Sequence, residues 1–211
     1  MDTQEFKSRI AEAVHEAVCQ VSQTDGCGRC LYYALAGAML LNRVTKRLFV
    51  PQVGGLSIQT SPPDGWYGVD MSAQGDPIQS FYDGDFHCWI AEVPEGGTEP
   101  GSRQRCKALI DLSSRHYDRL FDFIMPPIEW KREPPPAYLW LDDGIMPDWV
   151  RMWPEAEPMS VLFDTIHMDV YVRRDLFRIA LDHFHRHQLR ASKSEKALAL
   201  RRYKRALKVK K

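Results

Sequence analysis

The segment that most constrains the fold is residues 31–42, which are apolar on nearly every side. Their sequence, LYYALAGAMLLN, carries no charged side chain, and a helix of this composition must be surrounded by other elements. The apolar run is 11 residues long, whereas a membrane-spanning helix needs about 20. We therefore expect a helix buried in the core of a globular domain.

The elements around this helix indicate an α+β domain. Residues 4–22 repeat apolar side chains at helical spacing, and Asp2 and Glu5 resemble a capping box at the start of that helix. Alternating, strand-like segments follow the buried helix at residues 48–59, 86–93, 106–112 and 138–141. Helices followed by antiparallel strands are typical of the α+β class.

The remaining segments are expected to be less regular. Pro51 and the pair Gly54-Gly55 are expected to interrupt the first strand-like segment. Turn-forming residues predict a loop over residues 60–84, and a short helix is expected from Ser113 or Ser114 through Phe123. Residues 142–160 are rich in Trp and Pro, and the last helices are predicted at residues 172–190 and 194–209.

The net charge of zero conceals a strong asymmetry. Residues 186–211 hold 11 of the 28 Lys and Arg side chains and one acidic residue, so they carry a charge of +10 and the first 185 residues carry −10. We expect one folded domain at residues 1–185 and a basic helical extension at 186–211. This extension could contact nucleic acid, but docking on the acidic body is the favoured interpretation.

The cysteine content and the N-terminal residues favour a cytoplasmic protein. Five cysteines are an odd number, which argues for reduced thiols rather than a disulfide framework. Acidic residues precede the first apolar stretch, so we expect no secretory signal. We expect no interaction with a membrane.

A glycine-rich turn with two cysteines, DGCGRC, leads directly into the buried helix. Cys30 falls at the predicted first helical turn, where unpaired backbone N–H groups face the sulfur. A thiol has a pKa of about 8.5, and a helix N-terminus with a nearby histidine lowers this pKa to roughly 3.5–7.5. Cys30 is therefore a candidate nucleophile.

His87 and Asp111 fit the two other roles that such a nucleophile needs. His87 begins one predicted strand and Asp111 lies near the end of the next. Antiparallel pairing brings the start of one strand beside the end of its neighbour, so the two side chains can form a hydrogen bond. We expect His87 to act as the base and Asp111 to orient its ring.

Three motifs in this order carry a resemblance to a known family. Gly28-Arg-Cys30 before an Ala-rich helix, His87-Cys-Trp89 on a strand and Leu109-Ile-Asp111 at a strand end resemble the transglutaminase-like branch of the papain-like superfamily. The resemblance spans residues 28–112. It implies an α+β fold in which the nucleophile helix packs on an antiparallel sheet, with Cys30, His87 and Asp111 as a catalytic triad.

These residues predict a cysteine-dependent hydrolase or acyltransferase that acts on an amide or ester, with peptidase or amidase activity favoured. The backbone N–H of Cys30 is the expected first oxyanion donor, and the side-chain amide of Gln20 or Gln23 is a candidate second donor. We expect no cofactor and no metal, since the cysteines and histidines lack the spacing of a structural zinc site.

Two alternatives remain open from the sequence. The protein could be a non-catalytic binding module of the same fold whose basic tail contacts nucleic acid. Cys27-Gly-Arg-Cys30 could also be the C-x-x-C motif of a thiol redox protein. A thioredoxin-type site has a strand before this motif, whereas a long amphipathic helix is predicted here.

Overall fold

The computed structural model of the protein describes residues 3–60, 65–70, 76, 78–79, 83, 85–94, 106–117, 119, 136–155 and 170–186. These residues form an α+β fold in which helices lie against an antiparallel sheet. The predicted fold class is therefore confirmed at this level. The basic extension from residue 187 onward and the predicted helix at 194–209 lie outside the described residues.

The helices follow the predicted pattern with adjusted ends. Helix α1 spans Gln4–Ser22, and its cap is Thr3 rather than Asp2, because the Thr3 hydroxyl accepts a hydrogen bond of 3.2 Å from the N–H of Phe6. Helix α2 spans Cys30–Thr45. Helix α3 covers residues 170–186 of the described chain. Within the described residues, no helix is long and apolar enough to span a membrane.

The sheet is built around one long strand. Strand β1 spans Phe49–Thr60, and the other strands are β2 (Gly65–Val69), β3 (His87–Glu92), β4 (Leu109–Asp111), β5 (Leu139–Leu141) and β6 (Val150–Pro154). The order is β2-β1-β3-β4-β5, β6 also pairs with β1, and every pair is antiparallel. A 3-10 turn, Ser114–His116, follows β4.

Three predictions about the strands were wrong. Strand β1 is continuous through Pro51, Gly54 and Gly55, where an interruption was expected. Pro51 is tolerated because it lies in the half of β1 that pairs with β3 while β6 pairs only from Gly54 onward. Strand β2 was predicted as loop, and β6 was not predicted within the segment rich in Trp and Pro.

Glycines in β1 let β6 approach closely. A Cβ on Gly54 would lie 2.0 Å from the backbone oxygen of Trp153, and a Cβ on Gly55 would lie 2.2 Å from the Trp153 ring. The glycine pair therefore joins β6 to the sheet instead of breaking β1.

Helix α2 lies directly on the sheet and fixes the position of its own first residue. A Cβ on Gly37 would lie 2.5 Å from Ile90 Cδ1 and 2.7 Å from Leu112 Cδ1, so the helix backbone touches the side chains of the sheet. Leu40 and Leu41 are fully buried beside it. The core between α1, α2 and the sheet therefore holds the N-terminus of α2 at the start of β3.

We expect Gly54→Ala to lower the free energy of unfolding by about 2 kcal/mol or more, because the new methyl group would overlap a backbone carbonyl that cannot rotate away. Ser57→Ala, on the same strand, is the matched control and should change it by less than about 1 kcal/mol. Urea denaturation measures both. Equal stability of the two variants would show that β6 does not pair as closely as described.

Candidate active site

Cys30 occupies the first position of α2. The chain reaches it through a tight loop in which Gly26 and Gly28 have φ values of 88° and 68°, in the left-handed region that favours glycine. Arg29 is the N-cap residue and its side chain makes no capping hydrogen bond. The N–H groups of the first turn therefore remain available to a negative charge beside Cys30.

His87 and Asp111 form the predicted hydrogen-bonded pair. Nε2 of His87 lies 2.6 Å from Oδ2 of Asp111, and both side chains are buried. Strands β3 and β4 pair through Ile90 with Ile110, which sets the start of β3 beside the end of β4. Because Asp111 holds Nε2, Nδ1 is the ring nitrogen that can exchange a proton with Cys30.

Asp111 has further donors that the sequence did not indicate. Its Oδ1 accepts hydrogen bonds from the N–H and the hydroxyl of Ser113, at 2.8 and 2.7 Å. Its Oδ2 also accepts a hydrogen bond from the Tyr117 hydroxyl. Burial favours the neutral acid, but the charge of His87 and these hydrogen bonds lower the pKa of Asp111. Asp111 is therefore a buried carboxylate anion.

The Cys30 thiol lies in a short polar network at the edge of the sheet. The Cys88 thiol and the His87 ring are the groups that act on its pKa, and its sulfur is 4.0 Å from the backbone oxygen of Phe86. The hydrogen bond from Cys88 is the largest cause of a lowered pKa; burial opposes it, and the hydrogen bond and charge of His87 add to it. Together they bring the pKa of Cys30 to about 5.

Cys88 was missed as a site residue because it lies next to His87 on a strand, where alternation predicts opposite faces. Burial, followed by the hydrogen bond and charge of Cys30, raises the pKa of Cys88 well above its usual value. Cys88 therefore remains a neutral thiol beside the Cys30 thiolate.

Two aromatic rings flank the imidazole of His87. Trp89 stacks on it with centroids 6.2 Å apart, and Tyr117 meets it edge-on at 6.0 Å. Burial acts to lower the pKa of His87, but the charge and hydrogen bond of Asp111 and the interaction with Cys30 outweigh it and raise the pKa to about 10. Between pH values of about 5 and 10, Cys30 and His87 therefore form a thiolate–imidazolium pair.

A second polar cluster braces the loop that carries Cys30. The Tyr33 hydroxyl lies 2.5 Å from Nδ1 of His15 and 3.1 Å from Nε2 of His116. Gly26 packs on the same hydroxyl, since a Cβ there would lie 2.5 Å from it. Burial is the main cause that lowers the pKa of both histidines, that of His116 to about 4, so the cluster is neutral near pH 7.

The structure does not bring the two predicted oxyanion donors, Gln20 and Gln23, to the Cys30 thiol. Gln20 and Gln23 are exposed; the Gln20 amide lies 3.0 Å from Nε2 of His183 on α3, and Gln23 ends α1 in the left-handed conformation. A side-chain oxyanion donor therefore stays a prediction. All five cysteines are free thiols.

Two observations bear on the C-x-x-C motif and on metals. Helix α1 precedes the motif, and Cys27 is fixed by its N–H, which donates a 3.0 Å hydrogen bond to Oδ1 of Asp25. Within the described part of the chain, no group of three or more His, Cys, Asp and Glu side chains is arranged to hold a metal ion.

Comparison with known proteins identifies a shared fold. No protein-family model and no curated protein matches the chain. The chain is similar to a solved structure titled "The crystal structure of genomics APC5867", with 16% sequence identity, a TM-score of 0.51 and coverage of 85% of this chain and 78% of the other. At this level of identity the likeness concerns the fold alone.

We expect iodoacetamide to modify Cys30 before the other cysteines at pH 6, because its pKa of about 5 makes it a thiolate there while the pKa values of Cys19 and Cys106 are raised. Mass spectrometry after limited labelling identifies the modified residue. The labelling rate of Cys30 should rise as the pH passes through about 5 and then level off. Equal labelling of all five cysteines at pH 6 would contradict the ion pair.

Asp111→Asn should raise the apparent pKa of Cys30, read from the pH dependence of its alkylation rate, toward the ordinary value of about 8.5. The imidazolium of His87 would lose its anion, and its charge would no longer favour the thiolate. Ser113→Ala, which removes one donor but keeps the carboxylate, should shift this pKa much less. An unchanged pH profile in Asp111→Asn would show that Asp111 does not support the pair.

Proposed function

We propose that the protein is a cysteine-dependent hydrolase or acyltransferase acting on an amide or ester bond, with a papain-like arrangement of Cys30, His87 and Asp111. The observation that carries the proposal is the buried His87–Asp111 pair, whose imidazole lowers the pKa of the Cys30 thiol at the N-terminus of α2. A nucleophile, a base and a group that orients the base are the parts that covalent acyl transfer needs.

The reaction would begin with the Cys30 thiolate. The sulfur attacks the carbonyl carbon, the carbonyl π bond breaks, and the oxygen becomes an oxyanion. The N–H groups of the first turn of α2, which no side chain caps, are the donors available to this charge. Nδ1–H of the His87 imidazolium then protonates the leaving amine or alkoxide as its bond to carbon breaks, which leaves a thioester on Cys30.

The second half of the reaction would use neutral His87 as a base. Nδ1 removes a proton from water or from an acceptor amine as that group attacks the thioester, and the Cys30 thiolate leaves. Asp111 stays ionised throughout and holds Nε2–H, so the ring keeps the orientation needed for both proton transfers. Water gives hydrolysis and an amine gives transfer.

Hydrolysis of an amide is favoured within this proposal. A transferase would need a bound acyl donor, and the sequence carries no motif for an acyl-carrying cofactor. Cys30 is only 8% exposed, so the acyl group must reach a largely buried sulfur. This favours a small or extended substrate.

The proposal is tested first with an activated ester, p-nitrophenyl acetate, and then with a library of peptide amides. We expect acetylation of Cys30, detected by mass spectrometry, and turnover that disappears in Cys30→Ala. His87→Asn should slow turnover by about 10²–10⁴-fold, since general acid–base catalysis typically contributes that much. Cys27→Ala is the matched control and should keep its activity.

Two results would overturn the proposed function. Turnover that persists in Cys30→Ala would assign the activity to another group. A Cys27→Ala variant that loses activity together with Cys30→Ala would favour the C-x-x-C dithiol instead.

A further inference from the structure

A cavity of about 440 Å³ lies at the end of α2 opposite Cys30. Residues of α1, α2 and α3 line it together. Arg43 on its wall is thirteen positions along α2 from Cys30, which corresponds to about 20 Å at the rise of an α-helix. The cavity is therefore separate from the candidate active site.

The lining combines apolar and basic side chains. Three of the lining residues, Arg9, Arg43 and His185, are basic. The other residues that line the cavity within the described chain are apolar, and none of them carries a carboxylate: Phe6, Val44, Leu181 and Phe184. A site of this composition suits a ligand with a negative end and an apolar body.

Arg9 has an unsatisfied hydrogen-bonding edge. Its guanidinium stacks on the ring of Phe184, with Cζ 4.5 Å from the centroid. Its Nε and Nη2 atoms are buried and have no hydrogen-bond partner in the described structure. Buried donors without an acceptor are costly, so a rotation of Arg9 that gives this edge an acceptor in the cavity is favoured.

The same edge of another arginine shows which acceptor fits. Arg47 donates from Nε to Oε1 of Glu92 at 2.8 Å and from Nη2 to Oε2, so it binds one carboxylate side-on with two hydrogen bonds. The planar edge of a guanidinium matches a carboxylate in this geometry. The same pair of nitrogens on Arg9 is buried, with no carboxylate of the described chain on it, and a rotation of the side chain would bring it into the cavity.

We propose that this cavity binds a small free carboxylate that carries an apolar chain or ring. The carboxylate lies side-on against Arg9 after a rotation of that side chain within the cavity, and Arg43, which also lines the cavity, adds a second positive charge. The apolar body of the ligand lies on Phe6 and Leu181. The volume of the cavity falls within the range of about 300–1,000 Å³ that is typical of small-molecule sites.

The basic extension of the chain is not a suitable occupant. Residues 187–211 contain ten Lys and Arg side chains and one acidic residue, and the arginines that line the cavity repel such a segment. The charge of the cavity therefore favours an anion over this basic segment.

Isothermal titration calorimetry with octanoate tests the proposal on the full-length protein. We expect wild-type protein to bind octanoate more tightly than acetate, which lacks the apolar chain, and more tightly than 1-octanol, which lacks the charge. Arg9→Gln should weaken octanoate binding by at least about tenfold, because it removes the side-on pair. Arg43→Gln changes an exposed residue and should weaken it several-fold without affecting folding.

Arg174→Gln is the matched control, since Arg174 lies on the exposed side of α3 beside Asp175 and outside the cavity. It should bind octanoate as the wild type does. Octanoate that does not bind, that binds no better than 1-octanol, or that binds Arg9→Gln and Arg43→Gln as tightly as the control would overturn the proposal. Should Arg9→Gln fail to fold, Arg43→Gln alone decides between these outcomes.

Discussion

The buried carboxylate of Asp111 is the interaction on which the candidate site depends. An isolated carboxylate in an apolar interior is unstable, so its charge persists only because donors surround it. Ser113 supplies two of them to one oxygen, while His87 and Tyr117 share the other. This arrangement fixes a negative charge at the end of β4 and orients the imidazole that contacts it.

The second constraint is the close contact of α2 with the sheet. Gly37 lets the helix backbone rest on Ile90 and Leu112, and the start of α2 is thereby placed at the start of β3. The thiol and the imidazole are brought to the same edge because a buried helix and a central strand pack directly on each other. The loop before Cys30 packs through Gly26 on the Tyr33 hydroxyl.

Much of this arrangement could be predicted from the sequence. The apolar helix, the strands that begin at His87 and end at Asp111, and the hydrogen bond between those two residues follow from periodicity and antiparallel pairing. Tyr117 and Cys88 could not be predicted as partners, because their contacts depend on how a turn and a strand edge are packed in three dimensions. The prediction that Gly54 and Gly55 interrupt the first strand was wrong. Glycines often mark the end of a strand, but here their missing side chains leave room for Trp153 of the neighbouring strand β6.

The two ends of α2 thus carry different chemistry. Its N-terminus favours an anionic thiol, whereas Arg43 lies in its last turn, where the helix favours a cation. The proposed nucleophile and the proposed carboxylate site use these opposite ends, so a ligand at one can be tested without occupying the other.

The central claim is that Cys30 and His87 form an ion pair held by Asp111, and the most direct test is the ¹⁵N NMR spectrum of the histidine rings at pH 7. We predict that His87 has both ring nitrogens protonated, because its pKa is raised to about 10, while His116, with a pKa of about 4, is neutral in the same spectrum. Cys30→Ala should lower the pKa of His87, since it removes the thiolate. A His87 ring that is neutral at pH 7, with a spectrum unchanged in Cys30→Ala, would contradict the account.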